Sequence, residues 1–296
     1  MTDKYAVIGN PISHSKSPLI HRMFAEQTGE DISYEAIEAP LDGFAATIER
    51  LRAEGYKGCN VTVPFKFEAF ELATELGERA QSAQAVNTLK FDASGIFGDN
   101  TDGAGLVNDI ERNLGFSLHG KNVLLMGAGG AAYGVALPLL GTGTALTIAN
   151  RTIDKAEKLQ KQLAAALRKY SSGEQQKPTA FNPTTHQLVG LLRAGTVRSC
   201  SYASLRDKRF DVIINATSAG LSDSTIPLPA NVFAPNALAY DMMYGRETPF
   251  MAFARAQGAR VADGLGMLVE QAAEAFHIWR GVRPDTKPVL EKLRAA

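Results

Sequence analysis

Three serines, a histidine and a lysine are crowded into the stretch GNPISHSKSP, Gly9 to Pro18. After the apolar run YAVI, such a loop can seat a nucleophile, cradle a phosphate, dock a carboxylate or only cap the helix that Pro18 opens. Local sequence does not choose among these. In GCNVTVPFK, Asn60 and Thr62 lie two apart on a strand and share a face, with Lys66 just past Pro64. A second polar stretch, GDNTDG, carries Asp102 just before a helical segment. Taken singly, Lys66 reads as a solvated surface residue and Asp102 as a turn residue before a helix. A calcium loop is disfavoured, because aligning Gly103 with the loop's glycine puts Gly98 where the first carboxylate should stand.

A second chemistry follows from NVLLMGAGGAA. Gly127, Gly129 and Ala132 fit G-x-G-x-x-A between an apolar strand and a helix, the context in which the glycines admit a pyrophosphate to backbone N–H groups. About 20 residues further on, an NAD site carries an acid for the ribose 2′-hydroxyl. Here the strand ends in IANRT. Arg151 offers a planar fork for a 2′-phosphate, and Asn150, Thr152 and Lys155 add donors, so NADP is the expected cofactor.

These residues need a scaffold, and strand and helix signals alternate in the manner of α/β architecture with crossover helices. YAVIGN reads as a strand, Pro18 to Gln27 as a helix capped by Ser17, SYEAIEA as a strand, Leu41 to Glu54 as a helix and GCNVTVP as a strand stopped by Pro64. AVNTLKF and SGIFGDN form a hairpin, and Gly103 to Leu114 is helical up to Gly115. A second unit contains the strands KNVLLM, ALTIAN, FDVIINAT, ALAYDMMY and ARVADG, with helices after Gly130, from Asp154 to Tyr170 and around Pro249 to Gln257. Pro138 should bend its helix. Met267 to Trp279 reads as an amphipathic helix with Leu268, Ala272, Ala275, Phe276 and Trp279 on one side, and a short helix follows Pro288. Ser171 to Gln187 has turn formers and little periodicity, as expected of a surface loop or insertion.

The chain has 296 residues, 45% of them hydrophobic and 21% charged, which suits about two domains. Lys plus Arg and Asp plus Glu each total 31, so no global field favours nucleic acid or an anionic membrane. Asn122 to Asn150 lacks charge, but its glycines, Pro138 and threonines argue against a membrane span. Cys59 and Cys200 make no disulfide framework, and MTDKYAVIGN does not read as a signal peptide, so a reducing cytoplasm is expected.

Taken together, GNPISHSKSP, NVTVPFK, AVNTL, GDNTDG, GAGGAA, NRT, INATSAG, YDMMY and GLGMLVEQAA resemble the shikimate dehydrogenase family along essentially the whole chain, in order and spacing. The resemblance implies two α/β domains with a cleft between them. An N-terminal substrate domain with a mainly parallel sheet would be built from residues 1–102 plus 265–296, and a Rossmann-type NADP-binding domain from 103–264, with a loop insertion at 171–195. It implies reversible reduction of 3-dehydroshikimate to shikimate with NADPH, on the route to chorismate and the aromatic amino acids.

By the same resemblance Lys66 and Asp102 form the catalytic pair, and Ser15 and Ser17 bind the substrate carboxylate. Thr62, Asn87, Tyr244 and Gln271 complete the substrate site, where Asp102 also meets a substrate hydroxyl. The glycine turn contributes Gly127, Ala128, Gly129, Gly130 and Ala131 to the cofactor, while Met242, Gly264 and Glu78 hold its nicotinamide end. No metal is implied. The partners would be the small-molecule substrate and, for the chain itself, a monomer or homodimer, with the homodimer favoured. Two alternatives remain: a quinate/shikimate dehydrogenase with broader substrate or NAD use, and a noncatalytic NADP-binding sensor on the same fold.

Overall fold

The computed structural model of the chain describes residues 2–172, 197–217 and 228–295. It divides into two compact units, one of Met1–Leu106 with Gly266–Ala296 and one of Val107–Leu265. The expected insertion at 171–195 falls, from residue 173 on, outside the described residues, as does the SAG of INATSAG.

The first unit is built on a six-stranded sheet. Its strands are β1 (Asp3–Gly9), β2 (Ile32–Glu38), β3 (Tyr56–Val61), β4 (Glu75–Leu76), β5 (Thr88–Asp92) and β6 (Gly95–Asp99), in the order β2-β1-β3-β5-β6-β4. β1 runs parallel to β2 and β3, and β4 parallel to β6. β5 alone is reversed, pairing antiparallel with β3 and β6. The helices are α1 (Ser17–Thr28), α2 (Phe44–Ala53), α3 (Lys66–Leu72), α4 (Glu78–Ala83) and the start of α5 (Asp102–Asn108). Two C-terminal helices, Leu265–Arg280 and Lys287–Ala295, return to this unit.

Several local expectations are corrected. β3 ends at Val61 rather than at Pro64, so Thr62 stands in the turn beyond it. There its N–H still donates to the Ile8 carbonyl at 2.9 Å. The helix expected from Gly103 starts at Asp102 and passes into a π-helical turn, Asp109–Asn113. Ser17 is not the cap of α1: Lys16 holds that position, and the Ser17 N–H donates to Ser15 Oγ at 3.2 Å. A serine two residues upstream can satisfy a free helix-start N–H, which leaves the Ser17 hydroxyl for other work. The helix Leu265–Arg280 is also covered on more than one side, since Val269, Ala272, Ala273, Ala275 and Phe276 are fully buried and Glu270 and Gln271 nearly so. α5 meets it at Gly105, where an added Cβ would lie 2.7 Å from Gln271 Cβ. Phe24 of α1 meets Phe276 edge on at 5.9 Å, and Tyr5 of β1 stacks on Trp279 at 4.6 Å.

His21, on α1, is fully buried, with its ring stacked on Tyr34 at 4.1 Å and neither nitrogen in hydrogen-bonding geometry with a partner. Burial lowers its pKa to about 3, and the nearby Asn60 side chain opposes this only weakly. A histidine held neutral when folded but protonated when unfolded makes stability fall as pH drops below about 6.5, the unfolded value, toward the folded one. Urea unfolding should therefore show a loss of about 2 kcal/mol from this residue between pH 7.5 and pH 5. That part should vanish in His21→Phe; an identical pH slope in the variant would show that His21 does not carry it.

The second unit holds β7 (Asn122–Met126), β8 (Ala145–Ala149), β9 (Val197–Cys200), β10 (Phe210–Asn215), β11 (Phe233–Asp241) and β12 (Arg260–Ala262), in the order β12-β11-β10-β7-β8-β9. Every pairing is parallel. Counted within the unit this is the 3-2-1-4-5-6 order of a doubly wound dinucleotide-binding sheet. The helix α6 (Gly130–Gly141) follows β7 and contains Pro138, and α7 (Ile153–Ser172) follows β8. Among the described residues no helix is long and apolar enough to cross a membrane.

Candidate active site

In the first unit, Lys66 opens α3 and Asp102 opens α5. Lys66 Nζ donates to Asp102 Oδ2 at 2.5 Å, with both side chains largely covered. The backbone sets this meeting. The Lys66 carbonyl accepts from the Val86 N–H at 2.9 Å, and Asn100 ties the other strand of the site by donating to the Ala85 carbonyl and accepting from the Asp102 N–H.

Asn87 is the hub. Its Oδ1 accepts from the Thr101 N–H at 2.8 Å and from the Thr88 hydroxyl at 2.9 Å, which turns its Nδ2 toward Asp102 Oδ1 at 2.8 Å. Gln271 joins through Oε1, 3.3 Å from both Asn87 Nδ2 and Thr101 Oγ1, while its own Nε2 donates to the Leu268 carbonyl. Four residues far apart in sequence, Lys66, Asn87, Asp102 and Gln271, thus share one hydrogen-bonded cluster. Each is fixed by partners, as a site held ready for a substrate requires.

Sequence reasoning missed the layer behind this cluster. The Tyr34 hydroxyl donates to Asn60 Oδ1 at 2.8 Å, and Asn60 Nδ2 donates to Thr88 Oγ1 and to the Asn87 carbonyl. The pKa of Tyr34 is pushed well above the ordinary value, mainly by burial, and the Ser17 side chain opposes the rise. Asn60 carried a signal in its place on β3, but nothing local to ISYEAIE marked Tyr34. Thr62 is positioned by the bare Gly9, where a Cβ would come within 2.5 Å of Thr62 Cγ2.

In the second unit the glycine turn lies where β7 and β10 part, at the switch point of the sheet. Gly127 has φ +106, and a Cβ there would stand 2.9 Å from the Ala216 carbonyl oxygen. Over Gly129 the space is open, so a ligand can approach the backbone at the start of α6. At the end of β8, Asn150 Nδ2 donates to the Thr152 carbonyl at 2.8 Å, and Arg151 and Lys155 are exposed. The residues present fit a dinucleotide with a 2′-phosphate: a glycine turn for the pyrophosphate, then cationic and hydroxyl donors without an acid at the strand end.

Further on, the buried Asp241 accepts from Asn215 Nδ2, from the Thr248 hydroxyl and from the Met243 N–H. Burial raises its pKa despite these bonds. The carboxylate so braces the turn carrying Met242 and the half-buried Tyr244, and an added Cβ on Gly264 would strike the Met242 carbonyl. Glu78 belongs to the first unit and Tyr244 to the second. Among the described residues no group of three or more His, Cys, Asp or Glu could hold a metal ion.

A six-stranded parallel sheet of this order with its glycine turn makes the second unit a dinucleotide-binding α/β domain. Residues 7–89 match the shikimate dehydrogenase substrate binding domain, 109–177 match shikimate / quinate 5-dehydrogenase, and 264–294 match the shikimate 5′-dehydrogenase C-terminal domain. The shikimate dehydrogenase (NADP(+)) of Methylobacillus flagellatus is 56% identical over 296 residues, 99% of this chain and 100% of that one. That of Dechloromonas aromatica is 55% identical over 298 residues, covering 100% of this chain and 98% of its own. Among solved structures, an Ael1 enzyme from Pseudomonas putida superposes with a TM-score of 0.82 at 47% identity, over 99% of this chain and 98% of that one. The shikimate 5-dehydrogenase of Thermus thermophilus, in complex with NADP(H) and shikimate, superposes with a TM-score of 0.80 at 30% identity, over 99% of each. The chain belongs to the shikimate dehydrogenase family.

Proposed function

We propose that the chain catalyses the reversible NADPH-dependent reduction of 3-dehydroshikimate to shikimate, in the biosynthesis of chorismate and the aromatic amino acids. The observation that carries this is the Lys66–Asp102 pair at 2.5 Å, bound into one cluster with Asn87 and Gln271, in a chain of this family. The first unit serves as the substrate domain and the second as the NADP domain. The enzyme works in the cytoplasm on a small-molecule substrate, as a homodimer or a monomer.

NADPH, when bound, supplies the hydride that reduces the substrate carbonyl carbon. Lys66 gives its proton to the oxygen that becomes the alcohol, and in the reverse direction takes it back as base. Asp102 orients the Lys66 ammonium through Oδ2 and hydrogen-bonds a neighbouring substrate hydroxyl. Ser15 and Ser17 receive the substrate carboxylate beside the start of α1, and Thr62, Asn87, Tyr244 and Gln271 complete the contacts. Arg151, with Asn150, Thr152 and Lys155, holds the 2′-phosphate, the turn from Gly127 to Ala131 holds the pyrophosphate, and Met242, Gly264 and Glu78 flank the nicotinamide.

The test follows absorbance at 340 nm with shikimate or quinate, each with NADP+ or NAD+. Efficient turnover only with shikimate and NADP+ is expected. Comparable turnover of quinate or NAD+ would make the chain the broader quinate/shikimate enzyme, and nucleotide binding without turnover would make it a sensor.

A further inference from the structure

Beneath the Asn87 cluster runs a chain of charges in which no residue has yet been given a role. Arg79, on α4, donates through Nε and Nη2 to Asp99 Oδ2, at 3.1 and 2.5 Å, and through Nη1 to Glu274 Oε2 at 3.2 Å. Glu274 also accepts from Arg283, which lies 4.0 Å from Glu270, and Glu270 accepts from the Thr286 hydroxyl at 2.6 Å. Burial works against the charge on Arg79, but Asp99 and Glu274 outweigh it and raise its pKa above the ordinary arginine value. Burial likewise raises the Glu274 pKa, and Arg283 and Arg79 more than reverse this, leaving it lowered.

Both carboxylates adjoin the site. Asp99 Oδ1 accepts from the Asn100 N–H at 2.8 Å, and the Asp99 carbonyl accepts from the Asn87 N–H at 3.1 Å. Its segment runs directly into Thr101 and Asp102. Glu274 stands three residues after Gln271, about one turn along the same helix. The two branches of one guanidinium therefore fasten the end of β6, three residues before Asp102, to the helix that carries Gln271. The backbone around the joint is tight, since a Cβ on Gly77 would lie 2.9 Å from the Asp99 carboxylate.

We infer that Arg79 is a positioning residue for shikimate: through Asp99 and Glu274 it sets the spacing between Asp102 and Gln271, the two side chains that must grip one ring together. This rests on the substrate site proposed above. A lysine keeps the charge but has one nitrogen, which cannot serve both carboxylates as the fork does.

The test uses Arg79→Lys and Glu274→Gln in the full chain, with steady-state kinetics toward shikimate and NADP+ and a melting curve for each. Because small misplacements of binding groups are costly, Arg79→Lys should raise KM for shikimate about tenfold and leave KM for NADP+ within about twofold. Glu274→Gln, which nearly preserves shape, should raise KM for shikimate about threefold. A lowered melting temperature with wild-type KM for shikimate would reduce Arg79 to a structural staple and overturn the inference. If Arg79→Lys does not fold, Glu274→Gln decides in the same way. A wild type inert toward shikimate would overturn the activity and the inference with it, whereas an active wild type with unaffected variants overturns the inference alone.

Discussion

Replacing Lys66 by alanine is expected to lower kcat about 10² to 10⁴-fold, the range general acid–base groups contribute, while KM for shikimate and for NADP+ changes only a few-fold. The reason is differential. In the role proposed for it, Lys66 delivers a proton that matters only as negative charge grows on the carbonyl oxygen, so its removal should fall on the transition state more than on the ground state. The variant also leaves Asp102, 4% exposed, without its cation, although Asn87 still donates to the other carboxylate oxygen. A modest loss of stability should accompany the kinetic effect, and melting curves separate the two. Steady-state kinetics with both substrates varied makes the measurement; turnover within a few-fold of wild type would remove Lys66 from the chemistry.

Arg151→Ala should cost NADP+ about 10 to 100-fold in affinity, because a charge-assisted contact to a phosphate contributes about 1.5–3 kcal/mol. NAD+, which lacks the 2′-phosphate, should bind the variant nearly as it binds the wild type. The ratio of kcat/KM for NADP+ and NAD+ therefore moves toward NAD+. Arg151 is exposed, so the substitution should leave the fold intact and the comparison clean. Calorimetric titration with each nucleotide checks it, and equal weakening toward both would show that Arg151 supports the adenine or the loop rather than the phosphate.

The sequence carried the parts of this molecule whose physics is local. Gly127 and Gly129 announce a backbone that must turn tightly and stay bare, and the absence of an acid after IAN marks the strand end within a few residues. Pro18 and Gly115 delimit helices for equally local reasons. Partnerships formed across the fold were less legible. Tyr34 looked like any residue of a half-buried strand, and only the packing of β2 beside β1 brings its hydroxyl toward Asn60. Arg79 sits between a glutamate and an alanine in a charged stretch without periodicity, and its two carboxylates are 20 and 195 residues away. The helix Leu265–Arg280 shows how periodicity misleads. An amphipathic pattern with Leu268, Ala272, Ala275, Phe276 and Trp279 on one side leaves Glu270, Gln271 and Glu274 off that side, yet they are buried, with Arg79, Arg283, Thr286 and the Asn87 cluster as partners. Short elements such as α3 and α4 escaped altogether, having too few turns to display a pattern.

The division of the chain bears on the order in which it can take shape as it is made. The second unit is one continuous stretch, so all of it is available once residue 265 has been synthesised. The first unit is not: Tyr5 must wait for Trp279, and Asp3 and Glu30 for Arg280. The lysine–aspartate pair can be laid down early, but Gln271 and the Glu274 end of the charge chain are made only after the whole of the second unit. Until then β1 and α1 lack the helix that covers them. Vectorial synthesis thus leaves the first unit unfinished after the second is complete, with its apolar face dependent on whatever shields nascent chains.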